Sequence, residues 1–308
     1  MSPIVHSRSL DDDCLSDERL VKLLRRLSDL SMDRSYNPRQ VLHWPATLPA
    51  NALWMSVDLL SLNGSPHIND LTRDTLYSLS RWELINFFSF NVHGLRDLLV
   101  QIIGLIHRHE FSRVSEYFHH FIDEENKHMW FFAEFCNRYG HKIYPDMNVR
   151  PPSGNGAIEH LMTFAKILIT ENIGDFYNIR MANDGDLPEI VRQINRLHHD
   201  DEARHLAMGT GVIDTLCQSF IENSSQEAKE FITGRLANYM QYCIQSLYNV
   251  RAYRDAGLMD PHALRRQLLC EPARVEFHKR VLDRSFRFFE SHGLRVERSF
   301  LRSPHAKL

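Results

Sequence analysis

The sequence predicts an all-α protein whose core is a four-helix bundle, with additional helices before and after it. Two observations predict this fold class. Four long stretches between residues 76 and 220 keep a helical spacing of apolar residues, and each is separated from the next by a break. Strand signals are weak, because few runs alternate with a period of two and no Asn-Gly or Asp-Gly turn joins two such runs.

The elements are predicted in chain order as parts of a single helical domain over residues 1–308. Residues 1–75 contain an amphipathic helix, "SDERLVKLLRRLSDL", followed by a proline- and asparagine-rich stretch that we expect to wrap the core irregularly. The core occupies 76–220, and two or three accessory helices lie in 221–308. The four core helices are predicted over 76–108, 111–140, 157–183 and 187–220.

The ends of the core helices are marked by residues that favour helix termination or initiation. Gly140 stops the second helix, the segment "PPSGNG" (151–156) precedes the third, and the sequence "DGD" ends it. Pro188 lies at the start of the fourth helix, where proline is tolerated because the first backbone N–H groups have no intrahelical partner.

Composition restricts the possible partners. Of the 308 residues, 43% are hydrophobic and 24% are charged, and the net charge of −3 gives no reason to expect nucleic acid or an anionic membrane as a partner. The start of the sequence has no apolar signal region, and the five cysteines are scattered, which predicts reduced thiols in the cytoplasm. The 18 histidines are more numerous than usual, and imidazole is the commonest metal ligand.

Two Glu-x-x-His pairs lie on successive core helices, Glu125 with His128 and Glu202 with His205. A spacing of three places the carboxylate and the imidazole side by side on one helix face, so that they can bind the same metal ion. A single pair is most often a solvated surface. Two pairs in apolar surroundings favour a di-metal site between two facing helices.

In the ferritin-like di-metal bundle each of the other two helices contributes an inward glutamate. On the third helix Glu171 meets this requirement, since it follows an apolar run in which an unpaired acid would be costly to bury. It lies 31 residues before Glu202, and His93 lies 32 residues before Glu125. His93 is therefore predicted to replace the first-helix glutamate, although a buried histidine bonded to the backbone is an equal alternative.

The octapeptide "HHDDEARH" adds a further candidate ligand, His198. Positions 198, 202 and 205 form one helix stripe, so that His198 joins Glu202 and His205 on the inner face. A neighbouring carboxylate can fix the orientation of a ligand imidazole, and Asp201 is placed to reach a histidine on another helix. The residues predicted for this orienting role, with a plain surface acid as the alternative, are Asp201, Glu124 and Asp97.

The pattern resembles the non-haem di-iron N-oxygenases typified by p-aminobenzoate N-oxygenase and the chloramphenicol-pathway arylamine oxygenase. That family has Glu, then Glu-x-x-His, then Glu, then His-x-x-x-Glu-x-x-His, and the extra histidine distinguishes it from most ferritin-like di-iron enzymes. The resemblance covers roughly residues 76–220. The matching residues of this chain are Glu125, His128, Glu171, His198, Glu202 and His205.

The resemblance implies two iron ions per chain and transfer of oxygen from dioxygen to the nitrogen of an amine, giving a hydroxylamine, nitroso or nitro product. It also implies a small-molecule amine substrate, an electron donor such as a reductase or ferredoxin, and a role in secondary metabolism; we expect a homodimer. The chain departs from the family at the first glutamate, where it offers His93. A neutral ligand there would raise the potential of the metals and weaken one site.

Three other functions remain open at this stage. The first is a different di-iron oxidase that acts on C–H bonds or acyl chains, against which His198 argues. The second is a metal-binding or iron-storage protein without catalysis. The third is a structural bundle with buried polar networks and no metal, which metal analysis of the purified protein would distinguish from the others.

Overall fold

The computed structural model describes Leu15 and residues 17–146, 156–221 and 224–302. All regular structure in these ranges is helical, and no strand occurs in them, which confirms the predicted all-α, ferritin-like bundle. The α-helices are α1 (Glu18–Asp33), α2 (Pro38–Val41), α3 (Arg73–Ile103), α4 (Ser115–Phe135), α5 (Ala157–Asn183), α6 (Glu189–Leu216), α7 (Gln226–Ser246), α8 (Val250–Asp255), α9 (Pro261–Cys270) and α10 (Pro272–Ser291).

The four longest stretches of helical periodicity become α3 to α6. The hairpin partners α3 and α4 pack along each other, as do α5 and α6, and the two hairpins meet through α3–α5 and α4–α6 contacts. Their apolar faces are filled by aromatic rings, such as that of Phe88, whose centroid lies 4.7 Å from that of Phe132 and 5.0 Å from that of Phe135. None of the described helices is long and apolar enough to cross a membrane.

The second core helix ends as a π-turn over Cys136–Gly140. A Cβ atom at Gly140 would lie 2.7 Å from Cδ1 of Ile85 on α3, closer than real side chains approach each other. Glycine therefore permits the close contact between α3 and the end of α4, and the next residue, His141, ends the helix in the left-handed conformation with a φ of 54°.

The amphipathic N-terminal helix packs over α4 and α6. Its buried side chains include Leu20 and Leu24, and Asp17 caps its first turn by accepting a hydrogen bond from Arg19 N. The contact with α6 is close, because a Cβ at Gly211 would lie 2.9 Å from Cδ2 of Leu23.

The C-terminal helices cover the opposite side of the core, where α7 and α10 contact α5 and α8 contacts α3. The predicted irregular stretch after α1 holds only the single turn of α2 and short 3-10 turns. The predicted division into an N-terminal wrap (1–75), a core (76–220) and accessory helices (221–308) stays a prediction.

A buried acid of α3, Glu83, lies away from the predicted metal site. Its carboxylate accepts hydrogen bonds from Ser61 N at 2.8 Å and from the Ser61 hydroxyl, which in turn accepts one from Tyr253 OH at 2.8 Å. Burial outweighs these hydrogen bonds and raises the pKa of Glu83 from 4.5 to about 7.

We expect Glu83 to make the stability of the protein depend on pH. Its folded pKa is raised, so the folded chain binds the extra proton and the free energy of unfolding falls as the pH rises from 4.5 to about 7. The loss amounts to about 3 kcal/mol. The Glu83→Gln side chain cannot ionise. The unfolding free energy of the wild type, relative to that of the variant, should therefore fall by about this amount between pH 5 and pH 8. A difference that is constant with pH, measured by urea unfolding, would contradict the assignment.

Candidate metal centre

Six of the seven predicted ligands meet where α4, α5 and α6 face one another. All six side chains are at most 1% exposed. They form two groups of four, and within each group one donor atom per residue lies within 4.8 Å of the others. Glu125 and Glu202 belong to both groups. The first group adds His128 and His198, and the second adds Glu171 and His205.

The helical spacing of the motifs produces this arrangement. On α4, Nδ1 of His128 lies 3.1 Å from Oε2 of Glu125, one turn earlier. On α6, Nε2 of His198 lies 2.9 Å from Oε1 of Glu202. The two helices are joined across the centre, because Nδ1 of His205 is 2.9 Å from Oε1 of Glu125.

The donor atoms in this cluster lack the hydrogen bonds that buried polar atoms normally have. Among the described residues they make no well-aligned hydrogen bond although they are shielded from solvent and the closest of them lie 2.9 Å apart, and leaving buried polar atoms unpaired costs free energy. Carboxylate and imidazole donors are a suitable set for iron, so the cluster fits a pair of iron ions. The unpartnered atoms are Glu125 Oε1, Glu171 Oε1, His198 Nε2, both Glu202 carboxylate oxygens and His205 Nδ1.

Carboxylates outside the cluster orient two of the imidazoles. Asp201 Oδ2 lies 2.9 Å from Nε2 of His128, and Glu124 Oε2 lies 2.9 Å from Nε2 of His205. Because each ring donates its Nε2 proton outward, its Nδ1 is free to bind a metal at the centre. Each of these acids directly precedes a shared glutamate, and each reaches a histidine on the other helix, as the sequence predicts for Asp201.

A buried arginine holds these two acids together. Arg204 donates from one terminal nitrogen to Glu124 Oε1 and Asp201 Oδ1, both at 2.5 Å, and from Nε to Ser31 Oγ at 3.1 Å. Tyr36 donates a further hydrogen bond to Asp201 Oδ2. Sequence reasoning missed Arg204, because its contacts with Glu124 on α4 and Ser31 on α1 leave no pattern within α6 itself.

A carboxamide lies behind the third imidazole. The amide of Asn178, on α5, contacts Nδ1 of His198, so that Nε2 is the nitrogen facing the cluster. Asn178 is fully buried and lies two turns after Glu171. Asn178 was not predicted from the sequence, because an asparagine on an apolar helix carries no spacing signal of its own.

The structure does not bring His93 or Asp97 to the cluster. His93 Nε2 donates to the backbone oxygen of Tyr144 at 2.7 Å, and Asp97 forms an ion pair with Arg96 at 2.9 Å. The prediction assumed equal spacing in the two hairpins. The connection 104–114 between α3 and α4 is longer than the connection 184–188 between α5 and α6, so equal spacing along the chain does not select equivalent positions in the two hairpins.

The buried acids and histidines of the cluster shift one another's pKa values. Burial and the neighbouring carboxylates of Glu202 and Glu125 raise the pKa of Glu171 well above its usual value. Burial also opposes ionisation of Glu202, but the adjacent His198 and His205 hold its pKa well below its usual value. A cation bound beside these groups would add positive charge and so favour the ionised form of Glu171.

The comparison with protein families agrees with this site. The profile of the p-aminobenzoate N-oxygenase AurF family matches residues 17–293. A match over most of the sequence shows that the chain belongs to this family, which is a family of oxygenases and hence of oxidoreductases. No curated protein matches the chain.

Proposed function

We propose that this protein is a di-iron, dioxygen-dependent N-oxygenase that converts an amine into a hydroxylamine, nitroso or nitro product. The observation that carries the proposal is the pair of overlapping four-residue groups sharing Glu125 and Glu202. Two positions with shared carboxylates are the arrangement of a coupled di-metal centre in a helix bundle. Membership of an N-oxygenase family supplies the reaction class.

One set of residues would hold the iron ions, and a second set orients the side chains of the first. Glu125 and Glu202 would bind both ions, and the other cluster residues would bind one each. When bound, two iron ions supply the electrons and Lewis acidity for activating dioxygen. Glu124 and Asp201 hold protons on the outer nitrogens of their histidines, which fixes the inward-facing nitrogens as ligands.

Aromatic rings limit the access of water to the centre. Phe121 packs with its centroid 4.7 Å from that of His205, and Phe132 lies 5.0 Å from His198. Phe131 lies 5.3 Å from His128. Exclusion of bulk water protects a reactive centre from side reactions and strengthens the electrostatic interactions within it.

We also propose the substrates, the electron donor, the cellular location and the oligomeric state. The substrate is a small amine used in secondary metabolism, and dioxygen is the second substrate. The electrons come from a reductase or ferredoxin. The protein acts in the cytoplasm as a homodimer.

The reaction class is tested with isotope-labelled dioxygen. Iron-loaded, chemically reduced protein is mixed with p-aminobenzoate as the first probe, followed by other aromatic and aliphatic amines, and the products are analysed by mass spectrometry. We expect labelled oxygen bonded to the amine nitrogen of the product. The Glu202→Gln variant, which lacks a shared ligand, serves as the control for uncatalysed oxidation. Label on carbon instead of nitrogen would favour the C–H oxidase, and no label in any amine product would refute the N-oxygenase assignment.

A further inference from the structure

The two metal positions of the proposed centre differ in their own ligands. Besides the two shared glutamates, the position of Glu171 and His205 has one carboxylate and one imidazole. The position of His128 and His198 has two imidazoles and no further carboxylate. In the di-metal bundle all four helices contribute a carboxylate. Here α3 is the helix that does not.

None of the acids of α3 faces the cluster. Asp74 is exposed in the first turn, Glu83 is bound to Ser61, and Asp97 is paired with Arg96. All residues of α3 belong to the described part of the chain, so these three are its complete set of acids. The charge that a fourth carboxylate would bring is therefore absent from this side of the centre.

A different polar side chain of α3, that of Asn91, lies close to Gly174 of α5. Asn91 is 1% exposed, and its Nδ2 donates to the backbone oxygen of Phe87 at 2.8 Å. No described residue donates a hydrogen bond to its Oδ1. This acceptor is therefore available to a ligand from outside the chain.

The position of Asn91 Oδ1 can be located from Gly174, one turn after Glu171 on α5. A Cβ built on Gly174 would lie 3.8 Å from Asn91 Oδ1 and 3.5 Å from Cε1 of His198. Cε1 is the ring carbon between Nδ1, which contacts Asn178, and Nε2, which faces the cluster. The carboxamide oxygen thus lies near His198, where α3 meets α5.

We propose that Asn91 is the donor from α3 to the metal position of His128 and His198, with its neutral Oδ1 in place of a carboxylate. The inference rests on the proposed di-metal function and deepens it. Since a neutral oxygen attracts a cation less than a carboxylate does, the two positions differ in affinity. The position of Glu171 and His205 fills first, and that of Asn91 fills second.

The test is a calorimetric titration of the full-length, metal-free protein with Mn²⁺ and, without oxygen, with Fe²⁺. The wild type should give two binding events of different affinity. Asn91→Asp keeps the shape of the side chain and adds a charge, so it should tighten the weaker event by about tenfold or more and leave the stronger event unchanged. Asn91→Leu should weaken or abolish the weaker event alone.

The matched control is His93→Glu, which adds a carboxylate to the same helix two residues away. Because His93 contacts the Tyr144 carbonyl and not the cluster, this variant should leave both affinities unchanged.

The inference is overturned if Asn91→Asp changes neither affinity, or if His93→Glu tightens binding as much. If Asn91→Asp acts as expected but no amine is oxygenated, the N-oxygenase assignment fails and the role of Asn91 stands. If label reaches the amine nitrogen while Asn91→Asp has no effect, only the role of Asn91 fails.

Discussion

Replacing Glu202 with Gln is expected to remove metal from both positions and to abolish the oxygenase reaction. The expectation follows from the geometry, because Glu202 belongs to both groups of donor atoms and is completely buried. A carboxamide can neither bridge two cations nor supply the negative charge that they require. Metal analysis of the purified variant should give far less than one iron per chain.

Two further variants make this expectation specific. Asp200→Asn changes an exposed acid of the same helix and should retain the iron content of the wild type. Glu171→Gln removes a ligand of one group only, so about one ion per chain should remain. Retention of one full iron by Glu202→Gln would show that this glutamate is not shared.

Replacing Arg204 with Met is expected to destabilise the metal-free protein by roughly 3–5 kcal/mol, because it leaves buried carboxylates without their compensating charge. Arg204 contacts Glu124 and Asp201, and all three side chains are almost fully buried. Urea unfolding measures the effect. Metal affinity should also fall, by roughly 10- to 100-fold, because both acids orient ligand histidines.

The matched control is Arg192→Met on the same helix. Arg192 pairs with the half-exposed Glu189, and loss of such a surface pair should cost at most about 1 kcal/mol. Adding Glu124→Gln and Asp201→Asn to Arg204→Met removes the unpaired charges and should restore part of the lost stability. An Arg204→Met variant as stable as the control would show that the buried network does not depend on the arginine.

The sequence was sufficient to predict the helices of the core and the six residues that meet in it. Helical periodicity places Glu125 beside His128 and aligns His198, Glu202 and His205, whatever the packing of the bundle. Glu171 was predictable because an isolated acid within an apolar helix needs a partner. These inferences concern one helix at a time, where spacing determines geometry.

Inferences across helices were less secure, because spacing along the chain does not fix the register between two hairpins. Equal spacing led to His93, although the connection between α3 and α4 (104–114) is longer than that between α5 and α6 (184–188), so the two hairpins do not share one spacing. Asn178 and Arg204 were missed for a related reason. Their roles arise from contacts with residues of other helices, which no local pattern records.

The central proposal is that the cluster holds two iron ions and that Glu125 and Glu202 belong to both positions. Anomalous diffraction at the iron absorption edge, from crystals of the iron-loaded protein, tests it most directly. We predict two iron peaks per chain, both next to these glutamates, one between His128 and His198 and the other between Glu171 and His205. A single peak, or peaks outside this cluster, would contradict the account.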